Sequence, residues 1–490
     1  MQAAAPAQVR PASHGQRGAI AAAHPLAVEV GERILRDGGS AADAAIAAQA
    51  MLCVLMPDAC GLGGDMLALV RNAQGAVIAV QGTGASPAGY SHYADDGAGS
   101  VTVPGIVDAW CELSRMAGRF PLARVLEPAR RLASEGMRVS PTLSAALLRH
   151  RGRLLQGGAE NWSLFGAAAG AVVMQPQLAA LLASIGAQGR GAFYGDAAAA
   201  AIAASVARRG GSLSIADMSA HATPLAVPIE VGWGDWRVLV QPPITQGVLL
   251  AMAVQAWERH GDIATGLHDH AGVELTQAAF ACRDDVAQGA RLLELQLALD
   301  LRCASRRGGP RAYLHTAGVA AVDDSGQLIS SLVSVFDDFG SCVYVPELGI
   351  TLNNRAAGFT AGANAPGPGR RPVHTLAPAM LVTPQSSVAL ATPGADGQVQ
   401  TLLQVLAAMR LEGADLASAI ARPRWRSENG RLLIEQSHPG MQRLQALGHD
   451  LLVVEDGDVR LGAVVAAVLT RDGVAAAADW RRETCCGAVQ

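Results

Sequence analysis

The chain contains no lysine. All 38 of its basic residues are arginine, set against 42 acidic ones in 490 residues, for a net charge of -4. That balance leaves no cationic footprint for nucleic acid or an anionic membrane surface. Charged residues are scarce at 16%, while half of the chain is hydrophobic. This composition argues against disorder and supplies a core for one large or two ordinary domains. The eight cysteines stand at 53, 60, 111, 282, 303, 342, 485 and 486, with no CxxC pair. The usual zinc spacing is therefore missing, and no metal is expected. Vicinal Cys485-Cys486 reads as incidental. Met1 to Arg17 lacks a basic segment followed by an apolar one, so no signal peptide is expected. The apolar stretch 44–56 is too short to span a bilayer and reads as a buried helix. A reducing cytoplasm is the default compartment. Internal repeats are also lacking.

What is there is a change of pattern along the chain. After a loose start, a helix is expected over 25–35, ending at Gly38-Gly39. Ser40 then caps a second helix, 41–55, that stops at Pro57. Gly61-Leu62-Gly63-Gly64-Asp65 turns into a strand over 66–70, which is followed by another over 76–80. From about 104 to 304 the pattern is mostly helical, with clear helices at 198–207 and 248–257 and one strand-like run over 229–240. A β-hairpin follows: 319–323, a turn at Asp324-Ser325-Gly326, then 328–335. Farther on, a strand over 388–392 feeds Pro393-Gly394-Ala395-Asp396-Gly397 and a helix over 398–409. Short strands and one helix are expected over 432–478. Helices, then hairpins, then helices imply layers around antiparallel sheets.

Thr316 stands at the junction between the helical middle and the hairpin. An internal Thr becomes a catalyst when the bond before it is cut, because it then carries a free α-amine beside its own hydroxyl. Taken alone it is a weak signal, because a Thr that opens a β-strand is usually there for its strand propensity. The small residues Gly394 and Ala395 join a strand to a helix, where backbone N–H groups can face an oxyanion. An ordinary strand-to-helix turn reads the same way. Arg355, after Asn353-Asn354, has the planar fork that binds carboxylates, or it forms a surface salt bridge. His374-Thr375 adds polar groups to the same region.

Nine segments in order carry a resemblance: HPLA (24–27), GGSAADAAIAAQA (38–50), GLGGDM (61–66), VPGIVDAW (103–110), AFYGD (192–196), QPPITQG (241–247), FGSCVYVPELGITLNN (339–354), RPVHTLAP (371–378) and TPGADGQVQTLLQVL (392–406). Over nearly its whole length the chain resembles the γ-glutamyltranspeptidase family of N-terminal-nucleophile hydrolases. The resemblance implies an α+β fold, a four-layer αββα sandwich. It implies self-cleavage before Thr316 into a large subunit, 1–315, and a small one, 316–490, that remain one folded unit. It places the second hydroxyl on Ser334 and the oxyanion pair on Gly394 and Ala395. No cofactor is implied. The partners expected are a small-molecule amide and the two fragments of the chain itself, and a homodimer is compatible with this reading.

Departures bear on the substrate. The family's carboxylate-gripping Arg falls on Thr83, its amine-binding Asp on Gly358 and its paired serines on His374 and Thr375. An Asn falls on Phe336 and a Gln or Glu on Arg355. These replacements are similar to a cytoplasmic subgroup that includes oxamate amidohydrolase. An Arg and a His with no acidic partner suit an amide that carries a carboxylate but no amine, since an unpaired substrate ammonium would cost several kcal/mol. Thr83, Phe336, Arg355, His374 and Thr375 are the expected substrate-binding residues. The alternatives are a γ-glutamyltransferase or glutathione hydrolase with true γ-glutamyl substrates, or a member that has lost catalysis, given Ala317-Gly318 after the nucleophile. Two binding readings are weaker. GLGGDM does not fit G-x-G-x-x-G, and His268-Asp269-His270 would place alternate residues on different sides of a helix.

The self-cleavage expectation is checked on a denaturing gel. The processed chain gives two bands of 315 and 175 residues, whose lengths follow from a cut before Thr316; a single 490-residue band refutes it.

Overall fold

A computed structural model of the chain describes residues 8–90, 93–305 and 316–490. Two seven-stranded sheets form its centre. The strands, numbered along the chain, are β1 (Ser13–Gly15), β2 (Gly18–Ala22), β3 (Asp65–Arg71), β4 (Val77–Gly82), β5 (Leu225–Ala226), β6 (Ile229–Trp233), β7 (Trp236–Val240), β8 (Ala317–Asp323), β9 (Leu328–Ser334), β10 (Ala379–Val382), β11 (Ser386–Ala391), β12 (Val465–Thr470), β13 (Val474–Ala478) and β14 (Cys485–Val489). The first sheet runs β14-β2-β8-β9-β3-β4-β5 and the second β1-β13-β12-β11-β10-β7-β6, with every described pairing antiparallel.

Strand alternation explains how the sheets stack. Leu67, Leu69, Ala320, Val322 and Leu332 of the first sheet meet Met380, Ala389, Ala391, Val465 and Ala467 of the second in one buried cluster. Many of these are alanines, which let the two backbones come close. The Ser330 hydroxyl spans the gap and donates to the Leu390 carbonyl at 2.6 Å. The opposite faces are covered by helices. Met66, Ala68, Val70, Val319 and Ile329 pack with α1 (Pro25–Arg36), α2 (Ala41–Leu55), α3 (Ile106–Ala117) and other helices of the first 220 residues. On the other sheet, Val388, Leu390, Ala379 and Leu381 pack with α4 (Gly247–His260), α5 (His268–Phe280) and α6 (Gly397–Leu411). Strands covered on both faces read as near-continuous apolar runs, as β8 does up to Asp323, whereas buried β9 carries three serines.

Local signals place the elements that matter. Ser40 and Asp43 form a capping box at the start of α2, and Asp323 at the hairpin turn accepts the Ala41 amide at 2.9 Å. One short turn thus caps a helix and closes the β8-β9 hairpin. The run over 229–240 is two strands rather than one, because Gly234, at φ 59, turns the chain between them. The loose start contains β2, wholly buried between β8 and β14. Its Gly-Ala-Ile-Ala-Ala text has one β-branched residue and little intrinsic strand bias. Cys485 and Cys486 lie in β14, paired with Ala22 and Ala21. Among the described residues no helix is long and apolar enough to cross a membrane.

Gln49 is a buried polar side chain in a helix that is otherwise apolar beyond its first turn. It accepts from Trp110 Nε1 at 2.6 Å and donates to the Ser331 hydroxyl at 2.6 Å. Gln49→Ala strips both partners of it and opens a void, so it should lower stability by about 2–4 kcal/mol. A urea midpoint within error of wild type would refute this.

Candidate active site

Three adjacent strand ends line up the first residues of the site. Ala317 opposes Val333, so Thr316, one residue earlier, lies at the end occupied by Ser334. Ser334 in turn opposes Asp65 across β9 and β3. The Thr316 hydroxyl donates to Ser334 Oγ at 3.4 Å, and Ser334 Oγ accepts the Phe336 amide at 2.9 Å. Thr316 is 3% exposed. His315, across the bond expected to be cut, lies outside the described residues.

The Gly63-Gly64 turn brings Asp65 to this row. A Cβ at Gly63 would sit 2.1 Å from the Thr351 carbonyl oxygen, and one at Gly64 would sit 2.4 Å from that of Ser334. Only glycine permits backbone so close. Asp65 Oδ2 then accepts from Arg355 Nε at 2.9 Å and from His374 Nε2 at 3.2 Å. All three side chains are fully buried. The expectation that Arg355 and His374 have no acidic partner is therefore wrong: Asp65 pairs with both. Arg355 is also not a surface residue. Its guanidinium lies 4.6 Å from the centre of the Phe336 ring, and its amide donates to Asn353 Oδ1. Phe336, at φ 86, is a non-glycine residue in the left-handed region, a conformation that costs about 1–2 kcal/mol.

The polar atoms left over are informative. Arg355 Nη1 and Nη2 and Asp65 Oδ1 have no hydrogen-bond partner among the described residues. His374 Nδ1 accepts the Leu376 amide, so Nε2 carries the proton given to Asp65. Burial, with the Arg355 cation adding to it, pushes the His374 pKa down to about 4. Burial works to raise the Asp65 carboxyl, but His374 and Arg355 outweigh it and hold it below its ordinary range.

The second wall is the loop before α6. Gly394 has φ 122 and Ala395 φ 47. Neither amide donates to a backbone carbonyl among the described residues. Ala395 pays strain for a left-handed backbone, and Gln246 helps to hold it there: Gln246 Nε2 donates to the Ala395 carbonyl at 2.8 Å and to that of Thr375 at 2.6 Å. Gln246 N also donates to the His374 carbonyl. The QPPITQG segment thus links the His374-Thr375 loop to the Gly394-Ala395 loop. Pro393, next to Gly394, and Thr316 line one cavity of about 440 Å³.

Thr316, Ser334, Phe336, Arg355 and His374 thus form one chain of contacts through Asp65, while Thr375 and Ala395 join it through Gln246. Thr83 is buried just beyond β4 and packs on Gly105. No described contact ties it to Arg355. Asp65 and Gln246 are the residues that reading the sequence missed. Asp65 was visible as a carboxylate opening an apolar strand, where an unpaired charge is costly.

The family model for gamma-glutamyltranspeptidase matches residues 27–489. The oxamate amidohydrolase proenzyme of Klebsiella pneumoniae is 31% identical, over 93% of this chain and 95% of that protein. The glutathione hydrolase-like YwrD proenzyme of Bacillus subtilis is 30% identical, over 94% and 96%. The crystal structure of cephalosporin acylase from Bacillus halodurans superposes with a TM-score of 0.89 at 27% identity, covering 100% of this chain and 99% of that one.

Two acid-stability effects follow from the triad. His374 stays neutral in the fold down to about pH 4, whereas an unfolded His takes a proton near 6.5. Its contribution is complete above pH 6.5, declines as pH falls toward 4 and is constant below that. The Asp65 contribution is lost only below about its ordinary 3.8. In urea titrations, His374→Gln should flatten the upper window and leave the lower one; an unchanged pH profile refutes the assignment. Asp65→Asn strands the Arg355 charge and should cost about 3–5 kcal/mol at pH 7.

Proposed function

The chain belongs to the γ-glutamyltranspeptidase family, and from that membership we propose that it is a self-processing amidohydrolase with Thr316 as its nucleophile. The layered sheets and helices support the αββα sandwich of N-terminal-nucleophile hydrolases as its frame. In this reading the Thr316 hydroxyl attacks the carbonyl of residue 315, the chain passes through an ester, and water releases fragments 1–315 and 316–490. The freed α-amine of Thr316 then takes the hydroxyl proton as Oγ attacks the substrate amide. Ser334, in contact with that hydroxyl, orients it. The amides of Gly394 and Ala395 receive the oxyanion, a contribution of about 3 kcal/mol per donor in comparable sites. The proton passes to the departing amine, and water hydrolyses the acyl ester to a carboxylic acid and free Thr316.

The observation that carries the substrate reading is Arg355: a fully buried guanidinium whose two Nη groups have no partner among the described residues. Such donors suit a substrate carboxylate. We therefore read the substrate as a small amide that bears a carboxylate. In this reading Phe336, whose ring lies against Arg355, and His374, bonded to Asp65, flank that carboxylate, and Thr375 and Thr83 belong to the same proposed substrate-binding set. A second reading has its own observation. Asp65 Oδ1 also lacks a partner among the described residues, and a carboxylate oxygen there suits the ammonium of a γ-glutamyl group.

Two substrates that differ only in that ammonium separate the readings: glutaryl-p-nitroanilide and γ-glutamyl-p-nitroanilide, with oxamate as a third. Faster turnover of the glutaryl compound or oxamate supports the first; faster turnover of the γ-glutamyl compound supports the second. Thr316→Ala should yield one uncut, inactive chain. Arg355→Gln should lower kcat/KM on carboxylate-bearing amides by roughly 30- to 5000-fold, the equivalent of about 2–5 kcal/mol. Arg355→Lys, which keeps the charge and loses the fork, should fall in the same direction. Unchanged turnover in both variants would sink the role of Arg355.

A further inference from the structure

A second cluster of reactive side chains lies away from Thr316. We propose that His270, Glu274 and His449 bind a transition-metal dication, with Zn²⁺ the best match. His270 and Glu274 are four residues apart on α5 and so share a face. His449 follows the short helix Met441–Ala446. All three are buried, and one ligand atom from each lies within 4.8 Å of the others.

Hydrogen bonding fixes the chemistry of the first ligand. His270 Nε2 lies 2.7 Å from the Asp300 carbonyl. A carbonyl only accepts, so Nε2 carries the proton and Nδ1 presents its lone pair. That lone pair faces His449 Nε2 at 2.8 Å. An imidazole whose outer N–H is held by a carbonyl is the usual state of a metal-bound histidine. Glu274 supplies the oxygen; its Oε1 accepts the Ser305 amide at 3.0 Å and its Oε2 accepts the Ser305 hydroxyl, so the ion would share the carboxylate with Ser305. Two neutral imidazoles and a carboxylate match zinc, whose bonds of about 2.0–2.1 Å set tetrahedral ligand atoms roughly 3.3 Å apart. Opening the imidazole pair by about half an ångström, drawing the carboxylate in by up to about 1.5 Å and leaving one position to water completes the shell. His449 then carries its proton on Nδ1. The His268-Asp269-His270 grouping does not assemble, because His268 bonds to the Ile263 carbonyl and Asp269 pairs with Arg422. Only His270 of that motif faces the cluster.

The position gives the ion a role. His270, Glu274 and the backbone contact of Ala304 with Leu447 hold residues 300–305. That segment is the last described stretch before Thr316. His270 and Glu274 belong to fragment 1–315 and His449 to fragment 316–490, so one ion fastens the two. This staple role rests on the cut proposed above; the binding does not.

The test uses full-length protein without a tag, stripped by chelator, loaded with Zn²⁺ and desalted. Wild type and uncut Thr316→Ala should each retain about one equivalent by elemental analysis, and His449→Gln and Glu274→Gln less than about a tenth of that. Zn²⁺ should raise Tm in the first two proteins and in neither of the others. The Co²⁺-loaded protein should show tetrahedral visible bands without thiolate charge transfer, a readout that stands even where a variant fails to fold. No retained zinc in wild type would mean that the histidines are only a hydrogen-bonded pair. Equal retention in all four proteins, or thiolate bands from a site such as Cys485-Cys486, would likewise overturn the proposal. Retention in Thr316→Ala keeps this result separate from any failure of self-cleavage.

Discussion

The site depends on a buried carboxylate that must stay ionised. Asp65 holds the Arg355 guanidinium and the His374 imidazole on one oxygen, with all three side chains out of water. A lone guanidinium in that place would be untenable, because desolvating a charge costs several kcal/mol unless it is paired. The pair is only partly satisfied by the protein, since two Nη groups and one carboxylate oxygen lack partners among the described residues. Partly satisfied buried polar groups cost stability and are common at functional sites.

Much of the surrounding backbone serves to place that carboxylate. The Gly63-Gly64 turn allows β3 to start against Ser334, so Asp65, Ser334 and Thr316 occupy neighbouring strand ends. Phe336 takes up a left-handed backbone beside them and lays its ring against Arg355. On the other wall, Ala395 has a similar strain, held by the side-chain amide of Gln246. In both places local strain is fixed by contacts from elsewhere in the chain, which is how strained residues persist.

Sequence patterns revealed much of this frame. The capped helix over 41–55 has the limits expected of it, and the β8-β9 hairpin turns where Asp324-Ser325-Gly326 stand. Both rest on local chemistry: a capping box and a tight turn. Among the strands that escaped notice, β2 and β14 are small-residue segments from opposite ends of the chain whose pairing no local pattern encodes. The single run over 229–240 became two strands because a Gly-Asp turn inside an apolar stretch looks weak without its partners.

The candidate site divides along the same line. By itself the sequence determined residue types and order: an internal Thr before a hairpin, a small-residue loop before a helix, and an Arg and a His in polar loops. Tertiary structure alone decided the charge environment. Asp65 is 290 positions from Arg355 and 309 from His374, and no spacing rule joins residues so far apart. Local elements follow from backbone hydrogen bonding and hydrophobic period, which act over a few residues. Whether a buried cation meets an anion is settled by which strand ends the folded sheets bring together. That pairing turned an apparently one-signed group of side chains into one that holds both signs.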